Sequence, residues 1–203
     1  MAGKELSGAW IRPISARPTT ELSAAEARYA KGAPKLLDII DVPLLQPAPK
    51  LYQTENHIID STRTWLKAGE LPADAVSRLS DDPPRLFINS GSTRASRFDC
   101  ISMEEAAALR SSLLLIRPEK FSIVLDPRPA EHSRPHRASF LYKNVAYNLK
   151  LTDPVAITLF DLDCLDAAQL NDIHLCVSLT EPWDKDKRCY KLVAAVFTDP
   201  PLR

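Results

Sequence analysis

Trp10 and Arg12 stand two positions apart in the run Ala9-Trp10-Ile11-Arg12-Pro13-Ile14-Ser15. On an extended strand they share one face and Ile11 takes the other, so an indole and a guanidinium lie side by side. Both are planar groups that stack on a nucleobase. The same pair can serve a structural role instead, with Trp10 filling a core and Arg12 bonding a carboxylate such as Asp38. A second group, Tyr52 and Gln53 with Glu55, Asn56 and His57, sets amides and a carboxylate beside an aromatic ring. Such groups read a base edge through hydrogen bonds, or hold a loop by satisfying backbone polar groups, the reading favoured here.

Arg85, Arg94 and Arg97 flank Asn89-Ser90-Gly91-Ser92-Thr93. Backbone amides around Gly91 with two arginines can cradle a phosphate. No phosphate-loop or dinucleotide glycine spacing accompanies them, so a solvated loop is the favoured reading. Further along, Arg137, Phe140, Tyr142, Asn148 and Lys150 fall on two adjacent strand-like runs and could line a groove that stacks bases and holds a backbone. Alternation of Val145, Tyr147, Leu149 and Leu151 sends Tyr147 to the core and Asn148 and Lys150 outward. It leaves the direction of Phe140 and Tyr142 open.

Catalytic motifs are absent. The chain has no Gly-x-Ser-x-Gly elbow, no His-Glu-x-x-His and no deaminase-type His-x-Glu with Pro-Cys-x-x-Cys. His132 and His136 have helical spacing, but the prolines around them oppose a helix. Asp161, Asp163 and Asp166 lack the glycine and closing glutamate of a calcium loop. The four cysteines, Cys100, Cys164, Cys176 and Cys189, show no paired spacing. Cys176 and Cys189 read as small apolar residues on strands rather than as a metal site with His174. No cofactor and no metal are expected, and the balance leans away from an enzyme.

The elements that must position these residues are mostly strands. Leu113–Leu125, Arg137–Tyr142, Val145–Leu151, His174–Leu179 and Cys189–Phe197 read as five strands, with one helical window after the third. That window starts at Asp153 with Pro154 in the first turn and extends to about Leu170, with a break expected between Asp161 and Asp166. Strand, strand, strand, helix, strand, strand is the order of a five-stranded Greek-key OB barrel, a fold that binds oligonucleotides and oligosaccharides. Ser102 and Glu105 have capping-box spacing for a short helix joining the two halves. A weaker helix is expected over Pro72–Leu79. In the first half, Ala9–Ser15, Leu36–Val42 and Leu51–Ile59 read as strands. Pro43, Pro47 and Pro49 predict an extended connection after Val42, and 126–135 reads as an exposed loop rich in proline, arginine and histidine.

Composition bounds the partners. The 203 residues are 45% apolar, enough for one large or two small cores, and Lys plus Arg equals Asp plus Glu at 26 each. Neutrality leaves no global field for a polyanion, so any nucleic-acid contact must be a local patch. No apolar run is long enough to span a bilayer and the start has no signal core, so a cytoplasmic location is expected, with no membrane partner.

Seven segments then carry a resemblance. They are 10–15 (Trp-Ile-Arg-Pro-Ile-Ser), 37–40 (Leu-Asp-Ile-Ile), 52–56 (Tyr-Gln-Thr-Glu-Asn), 111–116 (Ser-Ser-Leu-Leu-Leu-Ile), 151–154 (Leu-Thr-Asp-Pro), 175–182 (Leu-Cys-Val-Ser-Leu-Thr-Glu-Pro) and 189–195 (Cys-Tyr-Lys-Leu-Val-Ala-Ala). In this order they resemble the prokaryotic dual OB-containing domain family. The resemblance implies two successive OB barrels and an association with nucleic acid, with no reaction or catalytic residues to carry over. It also implies a strand ahead of Ala2-Gly3-Lys4-Glu5-Leu6, so the first barrel either lacks its opening strand or is completed differently, leaving an edge another chain could pair with.

The expectation is therefore a mostly β chain of two tandem OB-like barrels, 1–110 with a helical insert and 111–203. Its expected role is binding single-stranded DNA or RNA, or a nucleotide-like ligand, through the barrel faces. The alternatives are a module that docks onto a partner protein through a barrel surface or open edge, and an unrecognised enzyme of nucleic-acid metabolism.

Overall fold

Thirteen strands, two α-helices and one 3-10 helix are seen in the computed structural model, which describes residues 1–29, 32–94, 96–126, 135–164 and 170–202. The protein is mostly β. In the C-terminal part the strands are β8 (Leu113–Ile116), β9 (Lys120–Leu125), β10 (His136–Tyr142), β11 (Val145–Leu151), β12 (Asn171–Leu179) and β13 (Arg188–Asp199), and their ladder runs β8-β12-β13-β11-β10-β9. The run expected as one strand, Leu113–Leu125, is thus two pieces. Pro118 between them has no N–H to donate to a ladder and breaks the strand. The ladder begins on one piece and ends on the other, so five chain segments follow one another in the order one, four, five, three, two and return to the first. β11 and β13 pair in parallel and the other neighbours antiparallel, the OB connectivity that the element order predicts.

Cross-strand pairs build the core. Phe140 lies opposite Tyr147 with rings stacked at 5.5 Å, and Ala138 lies opposite Leu149. Tyr142, Leu151, Leu175, Val177, Val193 and Val196 belong to the same buried cluster. Burying a side chain of this size contributes about 1.5–3 kcal/mol, which is why the register of these strands is so well specified. The β10–β11 turn is two residues, Lys143 and Asn144, both with positive φ (49° and 62°), the left-handed pair that matches hairpin twist.

Helix α2 (Pro154–Asp161) starts as expected, with the Asp153 carboxylate accepting from Val155 N at 2.9 Å and Ala156 N at 3.1 Å. Its second oxygen accepts from Val196 N at 2.8 Å, tying the helix to β13. The helix ends at Asp161, and Asp166 lies outside the described residues. So do Arg128, His132 and Arg134 of the expected loop after Asp126.

The N-terminal part holds β1 (Gly3–Lys4), β2 (Trp10–Ile14), β3 (Asp38–Asp41), β4 (Leu44–Pro47), β5 (Asn56–Ile59) and β6 (Leu66–Glu70). A four-stranded sheet has the order β1-β2-β5-β4, and β3 and β6 form a separate ladder. The expected connection after Pro43 is in fact strand β4, whose Pro47 is tolerated because β4 lies at the sheet edge. Leu51–Ile59 contributes only its last four residues to a strand, because Lys50 and Gln53 exchange two backbone hydrogen bonds and close a turn before it. Pro72–Leu79 becomes a 3-10 helix over Ala73–Leu79.

β7 (Cys100–Ser102) crosses from the N-terminal part and pairs with the start of β13, and helix α1 (Met103–Ala107) follows with the expected Ser102–Glu105 capping box. Tyr52, Ile101, Ala106, Leu179 and Cys189 form a second buried cluster at this junction. No helix among the described residues is long and apolar enough to cross a membrane.

Candidate functional site

The residues expected to stack on a ligand are largely used by the fold. Trp10 is half-buried, its Nε1 donating to Asp81 at 3.3 Å while Lys4 Nζ sits 5.4 Å from its ring centroid. Arg12 bonds a carboxylate, but that of Glu55 at 3.2 Å rather than Asp38, and also donates to Ser112 Oγ at 2.8 Å. Asp38 instead pairs with Lys67 at 2.7 Å and accepts from Tyr29 Oη at 2.6 Å, contacts that lower its carboxyl to about 2 against the opposing effect of burial. Tyr52 is buried, donating to the Thr180 carbonyl and lying 3.1 Å from Cys189 Sγ, and burial first of all pushes its hydroxyl well above the usual range. Gln53 Oε1 accepts from Asn56 Nδ2 at 3.1 Å, and both side chains are buried.

Phe140 and Tyr142 both face the core, and the Tyr142 hydroxyl donates to the Pro83 carbonyl at 2.7 Å. Arg137 is buried too, its Nε 2.8 Å from Asp126 and its Nη1 on Ser96 Oγ. Of this group only Lys150 is exposed, with Asn148 half-buried beside it. The Asn89–Thr93 loop spends its polar groups on neighbouring parts of the fold. Ser90 donates to Glu105, Ser92 Oγ accepts from Phe98 N, and Thr93 gives both its N–H and its hydroxyl to Asp99. Gly91 is there for packing: a Cβ on it would meet Cys100 O and Sγ at 2.8 Å. Arg94 and Arg97 remain exposed, with the Arg97 guanidinium 5.5 Å from the Phe98 ring centroid.

An aromatic that was not singled out in the sequence is available instead. Trp183 lies in the connection between β12 and β13, 50% exposed, with Lys185 Nζ 5.1 Å from its ring centroid and the Tyr190 ring edge-on at 6.0 Å. Its backbone N–H donates to Arg188 O at 2.9 Å, which holds the turn. Tyr190 Oη donates to Asp186 at 2.5 Å, and with burial as the main cause its hydroxyl is pushed up to about 12. The signal was an indole in a Pro182-Trp183-Asp184-Lys185 turn, where no periodicity gives it a core to fill. This connection, between the fourth and fifth strands, is one of the two loops through which OB barrels bind oligonucleotides and oligosaccharides.

The thiols offer little to nucleophilic chemistry. Burial pushes Cys176 up to about 12 and raises Cys100 and Cys189, so all three are thiols near neutral pH. No cluster of three metal-ligating side chains occurs among the described residues. One buried cation stands apart. Lys191 on β13 donates to Ile88 O at 2.6 Å and Asn89 Oδ1 at 3.1 Å, lies 5.8 Å from the Tyr147 ring centroid, and is lowered by burial to about 8.

No curated protein and no solved structure matches the chain. The dual OB-containing domain family matches residues 1–196, nearly the whole length, and the strand order of the C-terminal barrel agrees with it. By that match the protein belongs to the dual OB-containing domain family.

Proposed function

We propose that the protein binds single-stranded nucleic acid through its C-terminal barrel, with Trp183 as the platform on which a base stacks. The observation that carries this reading is the half-exposed indole, with a lysine over its ring, in the β12–β13 connection. Base–aromatic stacking contributes about 1–3 kcal/mol per base and tolerates any sequence. Lys185, on a flexible stem, can leave the indole for a phosphate, and Lys150 on the outer face of β11 lies on the same barrel. The neutral net charge agrees with a short footprint of few phosphates.

Fluorescence anisotropy with labelled single-stranded DNA, single-stranded RNA and duplex DNA at two salt concentrations tests it. Single strands should bind better than duplex and more weakly at high salt, and Trp183→Ala should cost about tenfold or more in affinity. Arg12→Ala is not a useful variant, since Arg12 holds Glu55 and Ser112 inside the fold. Equal binding by Trp183→Ala and wild type would refute the platform.

A second reading rests on β4. This edge strand leaves all four residues exposed, Leu45 at 63%, with Ile39 and Leu66 exposed on the neighbouring ladder. An apolar open edge suits a partner protein that adds a strand. Absence of binding to all three nucleic acids would favour that reading.

A further inference from the structure

An open cleft of about 630 Å³ lies between the 90–92 loop, β7, the start of α1 and Arg188. Its size is that of pockets that take small ligands. It adjoins the Trp183 turn through Arg188, whose carbonyl accepts from Trp183 N while its side chain lines the cleft. Most of the polar lining is already committed. Ser90 donates to Glu105, Ser92 Oγ accepts from Phe98 N, and Glu105 is held by the Ser102 cap. Two charged groups are left. Glu104 is exposed and makes no hydrogen bond or ion pair among the described residues, and the Arg188 guanidinium, whose charge acts on the Asp186 carboxylate, forms no ion pair among the described residues and contacts Cys100 Sγ at 4.0 Å.

One free anion and one free cation in a cleft beside a base platform suit a particular piece of a strand. Arg188 can hold a phosphate. A carboxylate lining the same cleft repels the backbone unless the sugar supplies a hydroxyl to donate to it. Ribose has that hydroxyl at the 2′ position and deoxyribose does not. We infer that this cleft seats the sugar and phosphate beside the base stacked on Trp183, and that Glu104, by accepting from the 2′-hydroxyl, makes the protein prefer RNA over DNA. The inference rests on the single-strand reading above and adds to it which strand is chosen.

Oligouridylate, oligodeoxyuridylate and 2′-O-methyl oligouridylate of equal length, differing only at the sugar, are titrated by fluorescence anisotropy. The ribose strand should bind about tenfold tighter than either other strand, the scale of a hydrogen bond to a charged group. Glu104→Ala should bring the three affinities together, whereas Trp183→Ala should weaken all three and keep their ratio. If all three strands bind the wild type equally, or if Glu104→Ala keeps the ribose preference, the inference is overturned while single-strand binding stands. If oligodeoxyuridylate binds tighter, the protein selects DNA and Glu104 has no such role. If none binds, the single-strand reading has itself failed.

Discussion

At the scale of single residues, the most consequential side chain is Lys191. Its ammonium is buried with a carbonyl, an amide oxygen and an aromatic face, and forms no ion pair among the described residues. Because burial lowers its pKa from 10.5 to about 8, the unfolded chain holds this proton more tightly than the folded one. The cost of burying the charge is therefore present in full below pH 8 and is relieved as pH rises toward 10.5. Wild type should gain stability relative to Lys191→Met across that window, by up to about 3 kcal/mol. Denaturant midpoints of both proteins between pH 7 and 10 check this, and a constant difference would refute it. Tyr52 allows a second comparison. Tyr52→Phe keeps the ring in the junction cluster and loses the bond to Thr180, costing about 1 kcal/mol, whereas Tyr52→Ala empties the site and should cost about 3–5 kcal/mol.

Among the elements, α2 depends on one carboxylate. Asp153 accepts two helix N–H groups with one oxygen and the buried Val196 N–H with the other, so it caps a helix and fastens it to a strand at once. Asp153→Ala should cost about 2–4 kcal/mol, more than an ordinary cap, measurable as a lower denaturant midpoint. Asp153 and Pro154 were legible in the sequence because a cap acts on its nearest neighbours. So was the β10–β11 pair, where alternation decides which side faces in. β4 and β6 were not legible: Leu44, Leu45 and Leu66 are exposed, so no buried face imposes a period, and Pro43 and Pro47 mimic a loop. Phe140 and Tyr142 could not be oriented from β10 alone, since Arg137 on the opposite face of the strand is buried as well, on Asp126. Trp183 escaped notice because turns have no periodicity to violate.

In the whole molecule, the N-terminal sheet and the C-terminal barrel share their interior. Arg12 and Glu55 reach Ser112, Asp81 exchanges hydrogen bonds with Leu115, Tyr52 lies among residues of β12 and β13, and β7 is a strand of the barrel's own ladder. Such contacts should make unfolding one transition. Trp10 on β2 and Trp65 just before β6 report on the N-terminal part and Trp183 on the barrel, so variants keeping a single tryptophan should give coincident denaturation curves. Separate midpoints would show that the two parts unfold independently. Breaking the link from one side, as Arg12→Met does, leaves Glu55 buried without its cation and should cost about 3–5 kcal/mol, read from the same curves.

The pairing of β7 with β13 also bears on how the chain is made. Cys100–Ser102 finds its strand partner at Arg188–Tyr190, and the Tyr52 hydroxyl its partners at Thr180 and Cys189. At roughly 5–20 residues per second of synthesis, Tyr52 waits on the order of ten seconds after leaving the ribosome before its pocket exists. For that interval the N-terminal sheet carries its exposed leucines and an unfilled junction together. A nascent chain stalled before Thr180 should therefore be the species that chaperones hold and proteases cut.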